Sequence, residues 1–237
     1  IDFVRLRPRL SEDIPGEHLK MSCKFSIGTA KENGMFNVVS TCSYGCTSDQ
    51  AQISKAWAEK EKKLLTQAKE GTGANMTQED IKFIRDDWML LEAKRYVVKD
   101  SFNFIIETVG VYSNLKICEM ACQIIVKKLG EFINNLQTKK ELIKQSISTM
   151  ENSYDITLEN EDYTIGKILE YVLYEKHFNR EITYCGFRKA HPHLDYSIIR
   201  VAFKENIDNT EIISFLTNTA TVNIEIFEKL AEEFKRD

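Results

Sequence analysis

The chain has 237 residues, 43% of them hydrophobic, with 32 basic and 36 acidic side chains and a formal net charge of −4. That much apolar material supports one large core or two modest ones and argues against a disordered chain, and the net acidity lacks the electrostatic footprint of a protein held mainly by phosphates. No apolar run approaches the roughly 20 residues that span a bilayer, and no basic-then-apolar signal pattern opens the chain, so no membrane partner and an intracellular location are expected.

Ile1, Phe3 and Leu6 suggest a strand, and because Ile1 is not a methionine and leads straight into it, a preceding segment is expected. After a turn at Pro15-Gly16, the residues Leu19, Met21, Cys23, Phe25 and Ile27 alternate with mostly polar neighbours, the period of a half-buried strand. A third strand, about Phe36 to Tyr44, follows the glycine-containing bend from Gly28 to Gly34. From Ser48 to Glu70 glutamate, lysine, alanine, leucine and glutamine predict a largely exposed helix. Gly71-Thr72-Gly73 breaks it, and Thr77 as N-cap with Asp80 three residues on opens a second helix through Trp88 and Leu91 towards Val97.

Phe102, Phe104 and Ile106 predict a short strand ending at Gly110. Leu115, Cys118, Cys122, Ile125, Leu129, Ile133 and Leu136 then recur at three- or four-residue intervals, predicting a helix from Asn114 towards Met150, about 35 residues and roughly 50 Å long. Thr138 to Ser153 serves in this reading as a helical or hinge-like linker. Beyond it come a strand at Tyr154, Ile156 and Leu158, and a helix capped by Asp162 or Thr164 with Ile165, Ile168, Leu169, Val172 and Leu173 on its buried face. Strands near Ile182–Phe187 and Tyr196–Phe203 and a last helix over about Thr210–Lys235 complete a compact α+β unit.

The run Glu161-Asp162-Tyr163-Thr164-Ile165-Gly166-Lys167-Ile168-Leu169, with Cys185-Gly186-Phe187 and His191-Pro192, resembles the eleventh subunit of eukaryotic RNA polymerase II and its archaeal counterpart, over about Asp155 to Phe234. The family usually has histidine at the Tyr163 position and asparagine at the Lys167 position. Gly28-Thr29-Ala30-Lys31-Glu32-Asn33-Gly34-Met35-Phe36 and Phe102-Asn103-Phe104-Ile105-Ile106-Glu107-Thr108-Val109-Gly110 resemble the later half of the third subunit, which commonly carries histidine at Asn33, tryptophan at Phe36 and proline at Val38. By this resemblance, counterparts of the two partners of one natural heterodimer would occur in order on one chain.

The resemblance implies an α+β fold of two alpha-like modules, of the polymerase alpha-subunit dimerisation type, forming an intramolecular pseudo-dimer. Residues 1–150 would be the third-subunit-like module, with its amino-terminal part missing and a helical insertion at about 48–97, and residues 151–237 the eleventh-subunit-like module. It further implies a non-catalytic assembly platform of DNA-directed RNA polymerase. Its partners would be the large catalytic subunits, chiefly the second-largest, and small polymerase subunits, with little direct DNA contact. Ile165, Ile168, Leu169, Val172, Ile224, Phe227, Leu230 and Phe234 would bury the pseudo-dimer interface, and Gly28, Lys31 and Phe36 would mark an assembly surface. Single-chain fusions of these subunits are known from large DNA viruses, so the resemblance implies transcription in host cytoplasm and presence in the virion.

The residues that suggest other chemistry have simpler readings. Cys42 and Cys46, and Cys118 and Cys122, have three residues between them, but the latter pair sits on an apolar helical stripe and a structural zinc needs four close ligands; with Cys23 and Cys185, all six are expected as reduced thiols. His191 and His193 flank a proline and read as a surface turn. Glu159, Glu161 and Asp162 fit the amino terminus of a helix. Asp86-Asp87 reads as solvated, and Lys55, Lys60, Lys62 and Lys63, the one local encouragement for a nucleic-acid-binding module, are interleaved with glutamates. With no phosphate loop or nucleophile motif, a stand-alone enzyme is the weaker alternative, and no catalytic residue, cofactor or metal is expected.

Overall fold

The computed structural model describes residues 3–69 and 77–235. The alternating segment before Gly28 forms no strand: residues 3–27 run as extended or bent chain, and Phe25 and Ile27 are 94% and 102% exposed. Alternation gives a strand only where a neighbour accepts its backbone hydrogen bonds, and among the described residues none lies beside this segment. The first expected strand shares this outcome over its described part, while Ile1 and Gly71-Thr72-Gly73 lie outside the described residues.

Two sheets follow. The first pairs β1 (Val39–Ser48) with β2 (Val97–Thr108) antiparallel, Tyr44 opposite Phe104 and Cys46 opposite Phe102. Between them lie α1 (Gln50–Lys69) and α2 (Gln78–Leu90), the latter opened by a capping box in which Thr77 and Asp80 exchange hydrogen bonds. A short 3-10 turn, Glu92–Arg95, ends the helical excursion before Val97, so β2 is a long strand rather than a short one. The insertion has its own small core of Ile53, Trp57, Trp88 and Ala93.

Helix α3 (Asn114–Thr138), capped by Ser113, spans 25 residues, roughly 37 Å instead of 50 Å. It stops because the chain finds a better partner: after a 3-10 turn, β3 (Ile143–Gln145) pairs with β4 (Ser153–Glu159) and buries Leu142 and Ile143. The supposed linker therefore holds a 3-10 turn and a short edge strand, followed by a bend and turn into β4. Helix α4 (Tyr163–His177), β5 (Ile182–Arg188), β6 (Tyr196–Phe203) and α5 (Asn209–Glu233) complete a second sheet, in the order β3-β4-β6-β5. Asn152, Asn160 and Asn179 adopt positive φ at the junctions flanking β4 and following α4, a conformation that asparagine tolerates better than most residues.

One face of this sheet, with Ile156, Leu158, Ile199 and Val201, is covered by α4 and α5, and α3 closes the core with Leu129, Phe132 and Leu136. No helix among the described residues is long and apolar enough to cross a membrane.

Candidate assembly interface

The helix seam begins with α4. Its Ile165, Leu169 and Val172 are buried and Ile168 half-buried, as 3.6-residue periodicity requires of an inward stripe. Gly166 sits on that stripe for a steric reason: a Cβ there would lie 2.0 Å from the Phe187 ring of β5. The ring also meets Tyr163 edge-on at 5.2 Å between centroids, and the Phe187 amide donates to Glu170 Oε1 at 3.0 Å. The glycine-phenylalanine pair of the sequence motifs thus fixes α4 to β5. Beneath it, burial and the nearby Glu170 carboxylate push the Cys185 thiol up to about 12, the behaviour of an inert packing thiol.

Helices α3 and α5 pack lengthwise on one another, and the same core takes Leu129, Phe132 and Leu136 from α3 and Ile212, Leu216 and Ala220 from α5. At the far end the buried Glu119 of α3 accepts from Lys116 at 2.7 Å and from Gln123 at 2.8 Å, with Lys235 3.7 Å away; the Lys116 bond first, then these neighbours, hold its carboxyl below the usual range. Nearer the sheet, Lys128 of α3 donates to both Glu161 oxygens at 2.9 Å, and Lys139 pairs with Glu159. Only Asp162 of that acidic trio caps α4, through Thr164 N. Glu159 and Glu161 instead clamp α3 to the loop after β4.

The four expected interface positions on α5 divide. Ile224 is half-buried against the core, Phe227 and Phe234 are half-buried, and Leu230 is 40% exposed. Ile165, Leu169 and Ile224 thus lie in the core that also takes residues of α3, Val172 and Ile168 lie buried and half-buried on α4, and Leu230 faces solvent.

The Gly28–Phe36 segment closes on itself. The Phe36 ring lies over Gly28, where a Cβ would meet it at 2.4 Å, and the Asn33 side chain accepts from Met35 N at 3.0 Å. Lys31, exposed at the turn, shares a concavity of about 250 Å³ with Asn160, Asp162, Tyr163, Lys189, Pro192, Leu194 and Asp195. The turn at His191-Pro192, closed by the His191 carbonyl accepting from Leu194 N at 3.1 Å, faces the same hollow.

Sequence reasoning missed the uncovered face of the first sheet. Cys42, Tyr44 and Cys46 of β1 and Phe102, Phe104 and Ile106 of β2 project to one side, with mostly polar residues on the other. Tyr44 and Phe104, 5.8 Å apart, are 70% and 67% exposed. At the other end, burial pushes the Cys118 thiol of α3 up, and the nearby Cys42 adds to the rise. Among the described residues no group of three or more His, Cys, Asp or Glu side chains stands where it could hold a metal ion.

Residues 153–233, which run from the first residue of β4 to the last of α5, match the family model of the RNA polymerase Rpb3/Rpb11 dimerisation domain. A comparison of the whole chain with curated proteins finds no match. The matched stretch holds β4, α4, β5, β6 and α5, and leaves β3, α3 and the first sheet outside it.

Proposed function

We propose that this chain is a non-catalytic assembly subunit of a DNA-directed RNA polymerase, with two alpha-like units joined in one polypeptide. The observation that carries the reading is that the family match covers β4–α4–β5–β6–α5, while β1–β2–α3 repeats the latter part of that order. In each case an antiparallel strand pair leads into a 25-residue helix, and the two long helices, α3 and α5, pack on each other.

The first unit carries the helical insertion between its strands and the second ends the chain. Joining them makes their pairing intramolecular, with an effective concentration on the order of millimolar for a short flexible link. The short clamped path from α3 through β3 to β4 fixes their relation further. The exposed Tyr44, Phe102 and Phe104 support a companion-covered surface on the first unit, because contiguous exposed aromatics mark interaction sites. The hollow containing Lys31 is the candidate contact for the second-largest subunit, and the Phe36 ring closed over Gly28 belongs to the same turn-bearing segment. Small polymerase subunits complete the assembly. The reading assigns no catalytic residue to this chain, and the fusion favours a large DNA virus, acting in host cytoplasm and packaged in the virion.

Affinity purification of the tagged full-length protein from its native or infected cells, with mass spectrometry of the eluate, tests the reading. The two large polymerase subunits are expected in near-equal amounts. A chain that elutes alone and stably folded would sink it.

A further inference from the structure

The face of the four-stranded sheet turned away from α4 and α5 is uncovered and carries an ordered row of charge. Register places Lys144, Asp155, Arg200 and Gly186 side by side across β3, β4, β6 and β5, and the next row holds Thr157, Ile198 and Arg188. Strand alternation puts all of them opposite the core residues Ile156 and Ile199. Together with Gln145, Ile147 and Tyr196, most of these residues line a shallow hollow of about 670 Å³.

The hollow holds three cations and one carboxylate. That carboxylate is committed: Arg200 donates to the two Asp155 oxygens from Nε at 2.6 Å and Nη2 at 2.8 Å. Neither Lys144 nor Arg188 has an ion-pair partner within 4 Å among the described residues, though Arg188 lies near enough to help hold the Asp155 carboxyl down, which leaves the hollow with a net excess of two positive charges. Tyr184 lies across Gly186, its hydroxyl 2.5 Å from where a Cβ would stand, so the floor beside Arg200 is flat and filled. At the margin Ile147 is 101% exposed beside the half-buried Ile198. The surface is thus a rigid floor with uncompensated positive charge and an apolar lip.

We infer that this face binds an acidic, extended peptide segment of a companion protein, its carboxylates meeting Arg188 and Lys144 and an aliphatic side chain resting on Ile147 and Ile198. A nucleic acid fits less well. Two uncompensated cations are few beside the six to ten phosphate contacts, approximately, of a typical binder, and the chain as a whole is acidic. The inference uses this face alone and stands whether or not the chain serves a polymerase.

The test is fluorescence anisotropy on the full chain at low salt with three labelled probes: a ten-residue peptide of alternating glutamate and serine around a central leucine, the same peptide with lysine for glutamate, and a ten-nucleotide oligo-dT. Saturable binding of the acidic peptide alone is expected. The double variant Arg188→Glu with Lys144→Glu, both at exposed side chains, should weaken it roughly tenfold, the sum of two surface ion pairs. Lys60→Glu with Lys62→Glu on α1 changes the net charge equally and should alter affinity less than about twofold. Absence of acidic-peptide binding, equal loss in both double variants, or tighter binding of oligo-dT would overturn the inference.

Discussion

Replacing Gly166 with alanine tests the seam between α4 and β5 through a change of sign. In a helix interior alanine is favoured over glycine by about 0.8–1 kcal/mol, so at an open position Gly166→Ala stabilises. Here the added Cβ would stand 2.0 Å from Phe187 Cε2 and 2.2 Å from Cδ2, well inside van der Waals contact. The ring cannot withdraw freely, because Tyr163 packs on it and its own amide is tied to Glu170. Overpacking of this kind costs about 1–3 kcal/mol, which leaves Gly166→Ala destabilising by about 1 kcal/mol. In a Phe187→Ala background the obstacle is gone and the same substitution should stabilise by close to 1 kcal/mol. Urea unfolding of the four proteins, followed by far-UV circular dichroism with m held common, gives a coupling of about 2 kcal/mol. If Gly166→Ala stabilises both backgrounds equally, Phe187 does not rest on Gly166 and the account of the seam is wrong.

Leu129→Ala in α3 removes a fully buried side chain from the core shared with α5 and the second sheet, and should cost about 3 kcal/mol in urea unfolding; Phe227→Ala, only half-buried, should cost less than the 3–5 kcal/mol, roughly, of a fully buried phenylalanine. A double-mutant cycle on Lys128 and Glu161 should return a coupling of about 0.5–1 kcal/mol that shrinks with added salt, since the lysine is partly exposed. The Arg200 hydrogen bonds hold the Asp155 carboxyl below its usual range, so its folded value lies under the unfolded one; the stability it contributes is present above about pH 4 and lost as pH falls through the folded value. The stability difference between wild type and Arg200→Gln should therefore stay level from pH 7 to about 5 and narrow in acid, and a difference that widens there would contradict the pairing. Mass-mapped iodoacetamide labelling at pH 8 should modify the exposed Cys23, Cys42 and Cys46 first and leave Cys185 until the chain unfolds, because its thiol, at about 12, carries almost no thiolate.

The parts legible in the sequence are those whose partners lie close along the chain. The Thr77–Asp80 capping box, the Asp162 cap of α4 and the strands β4, β5 and β6 emerged from local pattern because caps and hairpin neighbours satisfy one another within a few dozen residues. The end of α3 did not. Leu136 and Ile143, seven residues apart, continue an apolar spacing that suits a longer helix, and only the edge of β4, which draws Ile143 into a ladder opposite Ile156, decides otherwise. Local propensity yields there to a tertiary hydrogen-bonding partner. The acidic trio Glu159, Glu161 and Asp162 all read as a helix start, but only Asp162 acts as one, since the lysines that claim the other two come from the C-cap and the body of α3, 20 and 33 residues earlier.

Periodicity reports which side of a strand is apolar and is silent on what covers it. Ile199 and Val201 of β6 and Phe102 and Phe104 of β2 obey the same alternation, each on the strand that leads into a 25-residue helix. The first two are fully buried and the second two exposed, and the difference lies in neighbours. β6 lies between β4 and β5, and its inward residues share one core with residues of α3, α4 and α5, whereas β2 has β1 alone in its sheet. The apolar face is aromatic and uncovered on β1 and β2, yet aliphatic and covered on β4 and β6, so the exposed apolar strand surface lies outside the residues that match the family.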